Sequence, residues 1–250
     1  MTEEEILLTK RLAELSRRAS GGYFLFTDFL GLAELSALRG ISGQLQSKYT
    51  LFGGAEGAER VMARFGDEEE LGYSEPFPIL CLKVEPKSEK FAERLSHRDF
   101  LGAILATGIE RSVVGDIVIR DNVGYVFVKD SFAEYLTDSL TEIRRTAVRA
   151  SVTEDIPTGE LYKTEPRLVQ ANGERLDGVI AKVFKLSRDD ASSLFKKGLV
   201  FSDGREIASQ SYIPKEGETV SVRGFGRFIY RGYDSLSRKG KKNITVEVFV

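Results

Sequence analysis

The spacing of apolar residues along this 250-residue chain changes several times between the period of a helix and that of a strand. Near the start, five apolar side chains fall largely on one side of a helix predicted over residues 3–18: Ile6, Leu7, Leu8, Leu12 and Leu15. A short strand is expected at residues 23–26, and a second helix at residues 28–38. The pattern of this first region, residues 1–71, predicts a small α/β fold.

A glycine-rich stretch, residues 53–60, lies near the end of the first region. Its glycines are compatible with a phosphate-binding loop, but the Lys-Ser/Thr pair that a P-loop requires does not follow. The alternative, a turn that leads into a helix, is favoured.

The middle region, residues 72–155, shows the order of patterns strand, helix, strand, strand, helix, strand. The predicted elements cover residues 77–84, 96–109, 115–120, 124–129, 132–143 and 147–152. This order predicts a ferredoxin-like, split-βαβ sheet, which RNA-recognition motifs share. Tyr125 and Phe127 alternate on one face of it, and core packing explains this pair at least as well as base stacking does.

Two short helices and a small sheet are predicted from residue 174 onward. Ser187 is the expected cap of the second helix and Gly198 its left-handed end, and Asp203-Gly204 predicts a hairpin. Strands at 228–230 and 244–250 are expected to flank a loop over residues 232–242, with a mobile tip at 235–242. Residues 156–173 contain two prolines and two glycine turns and are predicted to be a linker. The expected class is α+β in three regions, with the last one at residues 174–250.

Composition limits the kinds of function. One cysteine, Cys81, and one histidine, His97, leave no internal disulfide and no zinc cluster. The acidic, amphipathic start is not typical of a signal peptide, and no apolar run approaches the ~18 residues of a membrane span. We therefore expect a cytoplasmic monomer without cofactor or metal.

The net charge of −2 conceals a division along the chain. Residues 174–250 carry fifteen basic and ten acidic side chains, whereas the rest of the chain is acidic. The excess is steepest between Arg223 and Lys242, where Asp234 stands among seven basic residues: 223, 227, 231, 238, 239, 241 and 242. Such asymmetry indicates that the C-terminal region meets a polyanion.

The residues of this region resemble an S4 domain, a small RNA-binding module. The matches follow one another as Arg175-Leu176-Asp177, Ser187-Arg188, Lys197-Gly198, Asp203-Gly204 and 216–224. The resemblance implies that RNA lies on the face made by two helices and a hairpin. The candidate RNA-binding residues on it are Arg175, Lys182, Ser187, Arg188, Lys196, Lys197, Arg223, Arg227 and Arg231. Some S4 positions that are often basic or Asn are here Ser192, Ser193 and Asp203, and Asp189 and Asp190 add negative charge, which makes this surface less positive.

A second resemblance covers nearly the whole chain. The stretches 53–60, 95–102, 108–117 and 222–227 are similar to the bacterial YlmH-type proteins. That family implies RNA binding in ribosome-associated quality control, on a large ribosomal subunit that still holds peptidyl-tRNA. The partners so implied are large-subunit rRNA and, as a further candidate, tRNA. The acidic residues 1–155 are expected to contact a protein factor.

Enzymatic alternatives have less support. His97 and Asp99 open a helix, where such residues cap and position, and no second titratable group is brought to them. Arg175-Leu176-Asp177 resembles the catalytic triplet of pseudouridine synthases, but only about seventy residues follow it, too few for that catalytic domain. We expect an RNA-binding protein that is not an enzyme. A division-linked protein adaptor and an RNA-modifying enzyme stay open as alternatives.

Overall fold

We describe residues 3–156, 164–237 and 240–249 of a computed structural model of the chain. The chain divides into two compact units, Met1–Leu161 and Tyr162–Val250. Within the described ranges, no helix combines the length and the apolar character needed to cross a membrane.

The structure mixes helices with antiparallel sheets, which confirms the α+β class. The helices are α1 (Glu3–Ala19), α2 (Leu32–Gly40), α3 (Glu68–Leu71), α4 (His97–Ala106), α5 (Ala133–Ser139), α6 (Leu176–Val183) and α7 (Arg188–Lys196). The strands of the first unit are β1 (Leu25–Phe26), β2 (Tyr49–Phe52), β3 (Met62–Phe65), β4 (Ile79–Pro86), β5 (Val114–Arg120), β6 (Val123–Lys129), β7 (Glu142–Ile143) and β8 (Thr146–Thr153). Those of the second unit are β9 (Thr164–Ala171), β10 (Val200–Ser202), β11 (Arg205–Glu206), β12 (Thr219–Val222), β13 (Gly226–Leu236) and β14 (Lys242–Phe249).

The N-terminal part of the first unit packs α1 and α2 against a three-stranded sheet of order β1-β3-β2. Leu12, Leu38 and Phe65 form the centre of its core. The glycine-rich stretch 53–60 joins β2 to β3, so the expected turn into a helix is wrong. The chain has to reverse there because β2 and β3 are antiparallel neighbours, with Thr50 opposite Arg64.

The middle of the first unit is a second sheet, of order β5-β6-β4-β8-β7, in which all paired strands are antiparallel. Helices α4 and α5 pack on one face of it, around Phe100 and Leu136. Its four long strands have the order expected of a split-βαβ fold. Asp121 and Asn122 both adopt positive φ, at 49° and 64°, which is the geometry of a tight hairpin turn that suits Asp and Asn.

A buried carboxylate joins the two parts of this unit. Asp116 is 3% exposed, and its Oδ2 accepts a hydrogen bond from the backbone N–H of Glu59 at 2.6 Å. The Arg60 guanidinium donates in turn to the carbonyl oxygens of Val114, at 2.9 Å, and Phe29, at 3.1 Å. Two of the stretches that carry the YlmH-type resemblance, 53–60 and 108–117, are therefore hydrogen-bonded to each other and connect the two parts of the unit.

The same loop covers part of the outer face of the middle sheet. A Cβ added at Gly54 would lie 2.3 Å from Cδ1 of Phe127, so the loop backbone rests directly on that ring. Phe127 is only 1% exposed, whereas Tyr125 is half-buried. Base stacking on Phe127 is excluded by this cover, and packing explains its apolar character.

The second unit is a six-stranded antiparallel sheet of order β11-β10-β12-β13-β14-β9, with α6 and α7 packed on one face. Residues 164–171 form β9, which pairs with β14 over its whole length, so the prediction of a linker is wrong for them. Pro166 is tolerated because β9 is an edge strand. Residues 157–163 of the predicted linker lie outside the described residues.

The prediction of a loop over residues 232–242 is also corrected. β13 continues to Leu236 and β14 begins at Lys242, so most of this stretch is a long hairpin. Register shifts between Tyr230 and Tyr233 and between Tyr233 and Ser235 interrupt the alternation that would have revealed the strand. Arg238 and Lys239 lie outside the described residues.

We predict that Gly54→Ala destabilises the protein by about 3 kcal/mol, because it combines overpacking against Phe127 with a left-handed backbone at φ 96°. The expected loss in melting temperature is about 9 °C, measured on the full-length protein by circular dichroism.

Gly57→Ala is the matched control in the same loop. Gly57 also has positive φ, at 76°, but no atom lies within 4 Å of its added Cβ. Only the backbone cost of about 1 kcal/mol remains, and the melting temperature should fall by about 3 °C. Equal losses in both variants would show that the contact with Phe127 does not constrain the loop.

Candidate nucleic-acid interface

A groove of about 290 Å³ lies beside α6 in the second unit. Four basic side chains line it: Arg175, Lys182, Arg188 and Lys241. The first three belong to the candidate RNA-binding residues, and the structure brings them together at one place. We call this the helix groove.

Asp177 lies beneath the basic rim of the helix groove and is 2% exposed. Its Oδ1 lies 3.2 Å from Nε of Arg175, and its Oδ2 lies 3.4 Å from Nε of Arg188. The two arginine side chains remain 50% and 61% exposed. One buried carboxylate thus orients two guanidinium groups that still face solvent.

Sequence reasoning did not find this role of Asp177. The residue stands between positions that face the core, with Leu176 before it and Val179 and Ile180 after it. An acid on the buried side of a helix requires cationic or hydrogen-bonding partners. The helical spacing of the neighbouring apolar residues carries that signal.

The starts of both helices are held locally. The backbone N–H of Leu176 donates to the carbonyl oxygen of Tyr212 at 2.8 Å, which ties α6 to the loop before β12. Ser187 caps α7: its Oγ accepts from the N–H of Asp190 at 3.0 Å and donates to Oδ2 of that residue at 2.6 Å. The Ser187 hydroxyl is therefore engaged in capping, next to Arg188.

Lys196 and Lys197 lie at the other end of α7 and are exposed. A helix of nine residues separates them from Arg188 by about 12 Å. They do not line the helix groove.

Arg223, Arg227 and Arg231 lie on the opposite face of the sheet. The side chains of Val222, Phe228 and Tyr230 point toward the helices and are buried, so their strand neighbours point away. The guanidinium carbon of Arg223 lies 4.3 Å from the ring centre of Phe201, and that of Arg227 lies 4.1 Å from the ring centre of Phe249. Arg231 forms an ion pair with Glu247 at 2.8 Å. The single basic face expected from the sequence is thus two faces.

Glu174 fastens the start of α6 to the long hairpin. It accepts a hydrogen bond from the Tyr230 hydroxyl at 2.7 Å and forms an ion pair with Lys242. The Lys242 ammonium, and then the Tyr230 hydroxyl, hold the pKa of Glu174 below its usual value. Burial, and then the bond to Glu174, raise the pKa of Tyr230. Lys242, one of the basic residues between Arg223 and Lys242, therefore stabilises the fold through its ion pair with Glu174.

The surroundings of Asp99 and Cys81 indicate structural rather than chemical roles. Asp99 accepts from the Ser96 hydroxyl at 2.6 Å and from the Ser96 backbone N–H at 2.8 Å, and these bonds lower its pKa. Burial raises the pKa of the Cys81 thiol to about 12, so the thiol stays protonated at neutral pH. In the part of the chain that is described, no three His, Cys, Asp or Glu residues converge as metal ligands would.

Comparison with known proteins adds to this geometry. Residues 74–155 match a family described as "Putative RNA-binding domain in YlmH". Over 225 residues the chain is 30% identical to the ribosome-associated protein quality control protein P2 of Bacillus subtilis (strain 168), covering 88% of this chain and 86% of that protein. The chain belongs to the YlmH family. The RNA-binding character predicted from the sequence is thereby confirmed at that level.

A solved structure supports the fold of this YlmH-family protein. It is the cell division protein ylmH from Streptococcus pneumoniae, with a TM-score of 0.51 and 17% sequence identity. The match covers 61% of this chain and 93% of that one. At this identity the likeness concerns the fold alone.

We predict that Glu174→Gln destabilises the second unit by about 1 kcal/mol at neutral pH, because the ion pair with Lys242 is lost. The pKa of Glu174 is lowered in the folded protein, so its contribution is present above the usual value of 4.5 and is lost as the pH falls through the lowered pKa. The difference between variant and wild type should shrink toward acid.

Hydrogen exchange of the β13 and β14 amides, compared at each pH between about 7 and about 3, measures this difference. Glu70→Gln, exposed in the first unit, is the control and should leave exchange of these amides unchanged. A gap between Glu174→Gln and wild type that stays constant toward acid would contradict the assignment.

Proposed function

We propose that this protein binds structured RNA of the large ribosomal subunit through the helix groove and acts in ribosome-associated quality control without catalysing a reaction. The observation that carries this proposal is the pair of half-exposed arginines, Arg175 and Arg188, held by the buried Asp177 at the rim of a basic groove. tRNA is a second candidate for the same groove.

Phosphate groups suit this arrangement. An arginine offers a planar fork of donors that matches phosphate oxygens, and Asp177 restricts the orientation of both forks before RNA arrives. Lys182 and Lys241 add mobile positive charge on the same rim. Groups placed in this way recognise the shape and the spacing of a phosphate backbone rather than the sequence of bases.

The ribosomal part of the proposal draws on the relative from Bacillus subtilis, whose name states an association with the ribosome and a role in protein quality control. We extend that role to this chain, with a large subunit that holds peptidyl-tRNA as the target. The absence of catalysis is part of the proposal. It is supported by Asp177, whose carboxylate is buried and bound to two arginines and so is poorly placed to attack a substrate.

The first unit has a separate part in the proposal. Residues 74–155 match the family of putative RNA-binding domains, but Phe127, on the outer face of their sheet, is covered by the 53–60 loop. We propose that the acidic residues 1–155 also contact a protein factor. One alternative, which the acidic character of residues 1–155 suggests, is an adaptor in cell division, in which this contact would be the main function.

We predict that the groove variant, Arg175→Gln with Asp177→Asn and Arg188→Gln, binds isolated large ribosomal subunits at least tenfold more weakly. Replacing Asp177 together with the arginines avoids a buried charge without partners. Loss of two phosphate contacts should also reduce the slope of log affinity against log salt by about 2. Sedimentation of the full-length protein with the subunits, over a series of salt concentrations, measures both quantities.

Lys215→Gln, in an exposed turn, changes the net charge by the same amount and serves as the control. It should keep the affinity and the salt slope of the wild type. If the groove variant sediments with large subunits as the wild type does, the groove is not the RNA site.

Asp177→Asn alone tests whether orientation matters. The substitution makes the groove more positive, and charge alone would then tighten binding. Because the two arginines lose their fixed position, we predict instead that affinity falls about fivefold, equivalent to about 1 kcal/mol. Asp189→Asn, on the exposed first turn of α7, changes the charge equally and should not weaken binding. Tighter binding by Asp177→Asn would contradict a positioning role.

A further inference from the structure

The outer face of the second sheet carries a row of stacking groups that the helix groove does not include. Phe201, Ser221 and Arg227 occupy directly opposed positions on β10, β12 and β13. Phe249 follows on β14, under the Arg227 guanidinium. Arg223 lies just beyond β12, over the Phe201 ring. We call these five residues the Arg–Phe row.

Each guanidinium in the row lies close to an aromatic ring. The distances to the ring centres are 4.3 Å for Arg223 on Phe201 and 4.1 Å for Arg227 on Phe249. Arg223 is exposed, and Arg227 and both rings are half-buried. Flat cationic groups held in this way are good platforms for nucleic-acid bases, which stack on guanidinium planes as well as on aromatic rings.

The dimensions fit several unpaired nucleotides. Phe201 and Phe249 lie three strand spacings apart, about 14 Å. RNA-binding sheets of similar width stack two or three bases on their exposed aromatic residues. Ser221, between the two stacked pairs, has a small side chain and leaves the middle of the row shallow.

The charge around the row favours a polyanion. Glu247 lies on the same face but is paired with Arg231 at 2.8 Å, and Glu206 lies at the edge, opposite Phe201. A base-paired helix would gain little from this flat face, because its bases are already stacked on one another and their faces are hidden. Single-stranded RNA offers both free base faces and phosphates.

We propose that the Arg–Phe row binds unpaired nucleotides of single-stranded RNA by stacking, as a second site independent of the helix groove. The second unit then holds RNA on two opposite faces, by phosphate contacts on the helix side and by base stacking on the sheet side. This proposal goes beyond the function assigned to the groove and does not require a ribosomal target.

The test is fluorescence anisotropy of a labelled, unstructured pyrimidine decamer RNA with the full-length protein. Arg223→Lys with Arg227→Lys keeps both charges but removes the planes, so affinity for the decamer should fall about tenfold while its salt dependence stays the same. Arg231→Lys, at the arginine paired with Glu247, is the matched control and should bind the decamer like the wild type. The groove variant should also keep decamer binding and lose only binding to large subunits.

Two outcomes would overturn the proposal. Wild-type affinity in the double lysine variant would mean that charge alone holds the decamer, and failure of the wild-type protein to bind the decamer even at low salt would mean that the face takes another partner. Phe201→Leu gives an independent variant that keeps the apolar contact and the net charge. It should weaken decamer binding while the circular dichroism melting curve shows the protein folded.

Discussion

A carboxylate that is almost fully buried is stable only when cations or hydrogen-bond donors pair with it. Asp177 needs such partners because it lies on the buried side of α6. Its neighbours Leu176, Val179 and Ile180 pack in the core of the second unit, so Asp177 lies on the buried side of α6, where its carboxylate is only 2% exposed. Arg175 and Arg188, at the starts of the two helices, supply the cations. The packing of α6 in the second unit therefore also determines how the arginines of the helix groove are oriented.

Asp116 has a comparable place in the first unit. Its carboxylate is buried in the middle sheet and holds the backbone of the 53–60 loop, while Arg60 from that loop binds carbonyl oxygens of the facing segments. Glycine is needed at position 54 because the loop backbone rests on Phe127. Both units thus contain a buried acid that joins two structural elements, and in the second unit that acid also orients exposed cations.

Local signals explain which features could be predicted from the sequence. The turn at Asp203-Gly204 and the cap at Ser187 depend on a few adjacent residues, and the structure has them as expected. β9 was missed because Pro166 suggested a linker, and a proline is compatible with a strand only when that strand lies at an edge. The extent of β13 was missed because its bulges break the alternation. The face on which Arg223 and Arg227 lie depends on strand register, which no local pattern specifies.

The division of basic residues between two faces changes the meaning of the net charge. A chain with net charge −2 binds a polyanion when its cations are concentrated and its acids are used internally, as Asp177, Glu174 and Glu247 are here. Each of these acids is paired with an arginine or a lysine of the basic region. The number of basic residues therefore overstates the attraction for a polyanion, and it does not show that the acids fix the positions of the cations. The helix groove and the Arg–Phe row differ in how their arginine side chains are held. Arginine forks above a carboxylate favour phosphate oxygens, and arginine planes above rings favour bases.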